Sequence, residues 1–214
     1  AVSTLKASDI ERKLGTQEFP EILKSTPGVY ATKSGGGFGD GRINLRGFNS
    51  ENVAVMINGV PVNDMENGRV YWSNWSGLTD VVSAMQVQRG LGASKLAISS
   101  VGGTINVLTK STELTKGGKI AATVGNDGYM KTVMSYNTGE MEGGSALSFL
   151  FSRVEGDGYV NGTSFEGYNY FLGYGWESDD DKHNVQVIVT GAPQTHNQRT
   201  GSYFNMATAG DYQK

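Results

Sequence analysis

Whatever chemistry this chain performs must rest on a few side chains, and two arginines come first. Arg46 and Arg89 each stand directly before a glycine at the end of a strand-like run. A guanidinium fork suits bidentate contact with a carboxylate, which lysine would meet only as a point charge. The alternative for each is a solvated arginine at a turn. A second group lies in NDMENGRVYWSNWS, residues 63–76. There Tyr71, Trp72 and Trp75 combine ring faces with polar tips, while Asn63, Asp64 and Asn74 offer directional hydrogen bonds. That combination can hold a bulky polar ligand, although aromatics at such positions also serve as core. Phe48 and Asn49 form a smaller candidate pair.

Other chemistries lack their residues. Gly35, Gly36, Gly37, Gly39 and Gly41 invite a phosphate loop, but no G-x-x-x-x-G-K-[ST] or strand–GxGxxG–helix unit occurs. His183 and His196 have no cysteine or carboxylate at ligand spacing, so they read as structural or solvent-facing, and neither metal nor cofactor is expected. Asp179–Asp181 lacks the alternating ligands of a calcium loop and reads as a solvated hairpin. No nucleophile–base–acid set marks an enzyme. The net charge of −3 and a pI near 5.4 give no basic face for nucleic acid.

Two kinds of element must position these groups. In the first half, Ser8 and Glu11 have capping-box spacing ahead of Ile10 and Leu14, with Gly15 placed to stop a helix. A second short helix is predicted over Glu18–Ser25, ended by Pro27-Gly28, and Ser34–Gly41 reads as a mobile loop. Ile43 and Leu45 alternate with polar neighbours, Val53–Ile57 is an apolar strand, and Asn58-Gly59 signals a hairpin. Leu78–Ala84 reads as a short helix leading into a strand at Met85–Gln88, with another strand at Ile105–Leu108. This is a small α+β domain.

After about Ser111 the pattern becomes strictly alternating. Leu147, Phe149 and Phe151 alternate with small or polar partners, as do Tyr168, Tyr170, Leu172, Tyr174 and Trp176, and then Val185, Val187 and Val189. Turns at Glu140–Gly144 and Ser178–Lys182 separate the runs. About five strands of roughly 8–11 residues result, the length a tilted membrane-crossing strand needs. The tyrosines with Trp176 suit an interfacial girdle. Five strands are too few to close a barrel, so a fragment of a larger protein is expected. AVSTLKASDI has neither a basic start nor an apolar core, so no signal peptide is expected there. The chain has 31 glycines, 4 prolines and no cysteine, which fits a turn-rich β protein without disulfides.

TPGV at residues 26–29, LRGF at 45–48, INGVPVND at 57–64, QRG at 88–90 and GGTINVLTK at 102–110 stand in the order found in TonB-dependent outer-membrane receptors. The chain resembles that family along nearly its whole length. The resemblance implies an α+β plug over residues 1–112. From residue 117 to 214, antiparallel transmembrane β-barrel strands would follow, a fragment of a 22-stranded barrel. It further implies import without catalysis, the substrate bound above the plug: a siderophore, cobalamin, peptide or glycan. The expected partners are the TonB-ExbB-ExbD complex, outer-membrane lipid and a surface lipoprotein. Arg46 and Arg89 match family arginines that pair with barrel-wall glutamates, and residues 63–76 match the region rising to the plug apex.

Two departures stand out: LGASKLAISSVGG follows QRG where the family often has Tyr-Gly, and AVSTLKASDI contains no TonB box. The style of MINGVPVNDMENGRVYWSNW and GAPQTHNQR resembles Bacteroidetes receptors other than the SusC type. Competing functions are a plug-bearing surface adhesin or signalling protein, and a soluble β-rich sugar-binding domain.

Overall fold

The computed structural model describes residues 2–15, 17, 19–33, 38, 41–90, 100–109, 111–180 and 182–197. The sequence expectations for residues 34–37, 39, 40 and 91–99 lie outside them. In chain order the first half contains β1 (Val2–Lys6), α1 (Ala7–Leu14), β2 (Val29–Lys33), β3 (Gly41–Leu45), β4 (Val53–Ile57), β5 (Val60–Pro61), β6 (Ala84–Arg89) and β7 (Gly103–Leu108). β1, β6, β7, β4 and β5 form one sheet in that order, with β4 and β7 parallel and the other pairs antiparallel. β2 and β3 pair separately.

Local signals account for several of these boundaries. Asn58 and Gly59 both take positive φ, 50° and 83°, and turn β4 back into β5. Asn58 also fixes β7: its side-chain amide donates to Thr109 Oγ1 and its Oδ1 accepts from Thr109 N–H, each at 2.8 Å. Gly15 stops α1 with φ 48°. The Ser8 capping signal fails, because the N-cap is Lys6 and no side chain caps the helix. β1 holds its partner β6 up to Lys6, and Ala7 N–H continues onto Ser83 O at 3.1 Å, so sheet pairing sets the helix entry. The helices predicted at 18–25 and 78–84 shrink to 3₁₀ turns at Glu21–Ser25 and Leu78–Asp80. Beneath them lies a core that includes Ile22, Leu23, Ile43, Leu45, Met85, Val87, Ile105 and Val107.

A 3₁₀ turn at Ser111–Glu113 leads into a second, antiparallel sheet. Its strands are β8 (Gly117–Val124), β9 (Met130–Asn137), β10 (Ser145–Gly156), β11 (Phe165–Glu177), β12 (Asn184–Gly191) and β13 (Gln194–His196). β8, β9, β10, β11 and β12 pair in that order, while β13 continues along the start of β11 after a break at Ala192-Pro193. Tyr168 N–H bridges that break by donating to Pro193 O at 2.9 Å.

This sheet is apolar on its open face. Leu147, Phe149 and Phe151 of β10 and Tyr168, Tyr170, Leu172 and Tyr174 of β11 are exposed. Their neighbours Ser148, Ser152, Asn169, Gly173 and Gly175 are buried against the first half. A soluble sheet would reverse this pattern, whereas a barrel wall facing lipid requires it. Among the described residues no helix is long and apolar enough to cross a membrane, and crossing by strands remains the route this face suits. Val133, Leu150 and Phe171 point inward and join the core of the first half.

The acidic turn at 178–183 is closed by its own side chains. Ser178 Oγ donates to Asp180 Oδ1 at 2.7 Å, and Lys182 meets the other carboxylate oxygen at 2.9 Å. The Ser178 hydrogen bond first, then Lys182, hold the Asp180 carboxyl below the usual aspartate range. A folded-state value lowered in this way stabilises the turn at neutral pH, and that stabilisation is lost as pH falls through the lowered value. His183 N–H donates to Ser178 Oγ at 3.0 Å, so the protection of its amide against exchange should fall only below the ordinary aspartate range. In Asp180→Asn that acid dependence should vanish.

Candidate functional site

The alternation of β3 turns Ile43 and Leu45 into the core and leaves Arg42 and Asn44 on the other face. That face and the segment after β5 enclose a cavity of about 300 Å³, lined by Arg42, Asn44, Asn49, Glu51, Arg69 and Tyr71 among others. Several of its groups are fixed by their neighbours. Asn44 Nδ2 donates to Asn49 Oδ1 at 2.9 Å, Arg69 Nε donates to Glu51 Oε1 at 2.8 Å, and Asn67 Nδ2 donates to the Tyr71 hydroxyl at 2.9 Å. Arg42 is exposed and makes no ion pair among the described residues. The cavity thus offers one unpaired guanidinium, one paired guanidinium, two amides and a half-exposed phenol ring.

The other candidates from residues 63–76 have different surroundings. Asn63 serves the backbone: Oδ1 accepts from Val55 N–H at 2.8 Å, and Nδ2 donates to Val53 O at 3.0 Å and Gly68 O at 2.8 Å. Asp64 closes the loop by accepting from the N–H groups of Glu66 and Asn67. Trp72 is buried and stacks on Phe19 with ring centroids 4.5 Å apart. Trp75 packs partly buried against the same core. Asn74 and Phe48 are exposed but lie outside the cavity lining. Of the eight contact candidates, Asn49 and Tyr71 therefore meet in the cavity. Sequence reasoning missed Arg42, Asn44, Glu51 and Arg69, although the Ile43/Leu45 alternation already placed Arg42 and Asn44 together.

Arg46 and Arg89 do come together, around Gly28. A Cβ built on Gly28 would lie 3.6 Å from Arg89 Cδ and 3.8 Å from Arg46 Cγ. Arg46 adopts φ 55°, and its N–H donates to Gly28 O at 2.8 Å. Its guanidinium lies over Gly90, where a Cβ would fall 2.7 Å from Nη1. Among the described residues Arg89 makes only long contacts, Nη1 to Pro27 O at 3.4 Å and Nη2 to Ser3 Oγ at 3.3 Å, and its buried Nε has no partner there. Two adjacent cations with a buried unsatisfied donor form a ready receptor for carboxylates.

Phe38 marks a third contact. It is buried against the second sheet, stacked on Phe165 at 4.6 Å and 5.8 Å from the His196 ring.

Known proteins share this architecture. Residues 1–104 match the family model described as the TonB-dependent receptor plug domain. Over 121 residues the chain is 31% identical to the ferric enterobactin receptor PirA of Pseudomonas aeruginosa, covering 51% of this chain and 16% of that one. It is 27% identical over 160 residues to the vitamin B12 transporter BtuB of Vibrio vulnificus, covering 75% of this chain and 25% of the relative. The chain therefore spans a quarter or less of these relatives' length. Among solved structures, the unliganded ferric citrate transporter FecA superimposes with a TM-score of 0.69 at 19% identity, covering 92% of this chain and 32% of that one. The copper transporter OprC gives the same TM-score at 16% identity. Residues 1–104 thus match the plug domain of TonB-dependent outer-membrane receptors, and the strands that follow have the fold of the corresponding strands in FecA and OprC.

Proposed function

We propose that this chain is the gated entrance of an energy-coupled importer in a Gram-negative outer membrane. The observation that carries the reading is the pairing of a plug with a wall whose apolar face points outward. In this reading the wall is the start of a 22-stranded barrel, and the TonB-ExbB-ExbD complex supplies the force that opens a path past the plug. Arg46 and Arg89 hold the plug by pairing with wall carboxylates outside this chain, a role supported by their adjacency and by the unsatisfied Arg89 Nε. The cavity between Arg42 and Tyr71 receives one end of the substrate. The named relatives are a ferric enterobactin receptor and a vitamin B12 transporter, so a ferric siderophore and cobalamin are the first substrates to test.

The test is uptake of radiolabelled ferric siderophores and cobalamin by cells whose only receptor of this type is the full-length protein. Uptake should be saturable and should stop when the proton gradient is collapsed. Arg42→Ala and Tyr71→Ala should each weaken binding of the transported compound about tenfold while leaving the receptor assembled. Uptake indifferent to the proton gradient would refute energy coupling, and binding without any uptake would refute the importer and favour a surface adhesin or signalling protein.

A further inference from the structure

The plug meets the wall along two seams of opposite character. Against β10 and β11 there is no clearance. A Cβ on Gly77 would fall 2.7 Å from the Asn169 side chain, and the linker leaving the plug is equally tight on β11: a Cβ on Gly173 would fall 2.5 Å from Ser111 Oγ and one on Gly175 3.0 Å from Thr112 Cγ2. Phe38 adds its stack on Phe165 along the same two strands. Against β8 and β9 the seam instead encloses a cavity of about 430 Å³, lined by polar groups that include Thr79, Asp80, Thr115, Ser135 and Asn137. A direct ion pair crosses it: Lys131 Nζ of β9 donates to Asp80 Oδ2 at 2.7 Å, with side chains only 11% and 5% exposed.

A seam packed side chain to backbone gives way only as a unit. A polar seam next to a cavity gives way when its charged contacts break, because the surfaces on either side can be hydrated. Breaking a buried pair is costly while the partners stay buried, and that cost falls once water reaches both charges. The pair also has the opposite polarity to the Arg46 and Arg89 arrangement, with the acid on the plug and the base on the wall.

We infer that, among the wall strands of this chain, the plug parts first from β8 and β9, and that the Asp80–Lys131 pair is a contact that closes that seam. This rests on the plugged-barrel reading, yet it concerns the resting plug and needs no transport to be measured. The β10–β11 seam then acts as the hinge side.

The experiment uses the purified full-length receptor in planar bilayers with no energy source. Asp80→Asn and Lys131→Met should each raise the ion leak about tenfold, and the exchanged variant Asp80→Lys/Lys131→Asp should return it close to wild type. Single variants that show a folded, heat-modifiable barrel and a wild-type leak would overturn the proposal. A second measurement keeps the native pair. With cysteine placed at the buried Val133 of β9 or at the buried Ser148 of β10, rising sub-denaturing urea should increase maleimide labelling at position 133 first. Simultaneous labelling, or labelling at 148 first, would also overturn it. Failure of the importer reading would show differently, as wild-type receptor that supports no uptake.

Discussion

Gly103→Ala is expected to cost about 3–5 kcal/mol, enough to unfold the plug while the barrel remains assembled. Gly103 has φ 136°, and a Cβ there would lie 2.2 Å from Gln88 O and 2.6 Å from Leu45 Cδ2. The backbone oxygen cannot yield, because Gln88 and Arg89 are register partners of Thr104 and Gly103 in the β6–β7 ladder. Leu45 cannot yield either, being fully buried in the core. Proteolysis of the membrane-embedded receptor should therefore cut the plug of the variant and spare that of the wild type. Gly117→Ala is the control: its Cβ would meet nothing within 4 Å, and its effect should stay within about 0.5 kcal/mol.

Leu172→Arg is expected to destabilise the receptor in lipid bilayers by about 2–4 kcal/mol. Leu172 is 52% exposed on β11, and its register partners are Phe149 on one side and Val189 on the other. All three belong to the apolar outer face, so the guanidinium would enter hydrocarbon. The same change on an exposed position of a soluble sheet would be nearly neutral, within about 0.5 kcal/mol. Denaturant unfolding of the full-length protein in vesicles reads the difference. A neutral result would restore the soluble β-rich alternative.

Much of this was legible in the sequence because it depends on near neighbours. The Asn58-Gly59 turn needs only two residues tolerant of positive φ, and the outward faces of β10 and β11 follow from period-two alternation. What escaped depends on partners far along the chain. VSTLK carries only two apolar residues, and it becomes a strand because Ala84–Arg89 offers it an edge. The parallel pairing of β4 with β7 joins residues about fifty positions apart, which no local pattern encodes. Trp72 looked like a ligand contact because of its polar tip and loop setting, but Phe19 gives it a place in the core. The arginines were visible as types. Their convergence on Gly28 became visible only when β2, β3 and β6 were placed together.

The glycines of β11 reach beyond packing. Gly173 and Gly175 face the linker residues Ser111 and Thr112, while Leu172 and Tyr174 between them face outward. Lipid tails adapt to any apolar shape, so the outward positions can drift freely among leucine, valine, phenylalanine and tyrosine over evolutionary time. The inward positions are bound to one fixed neighbour and tolerate no drift. Related receptors should therefore show substitution rates along this strand that rise and fall with every second residue, leaving in the genetic record a trace of which side once touched the membrane.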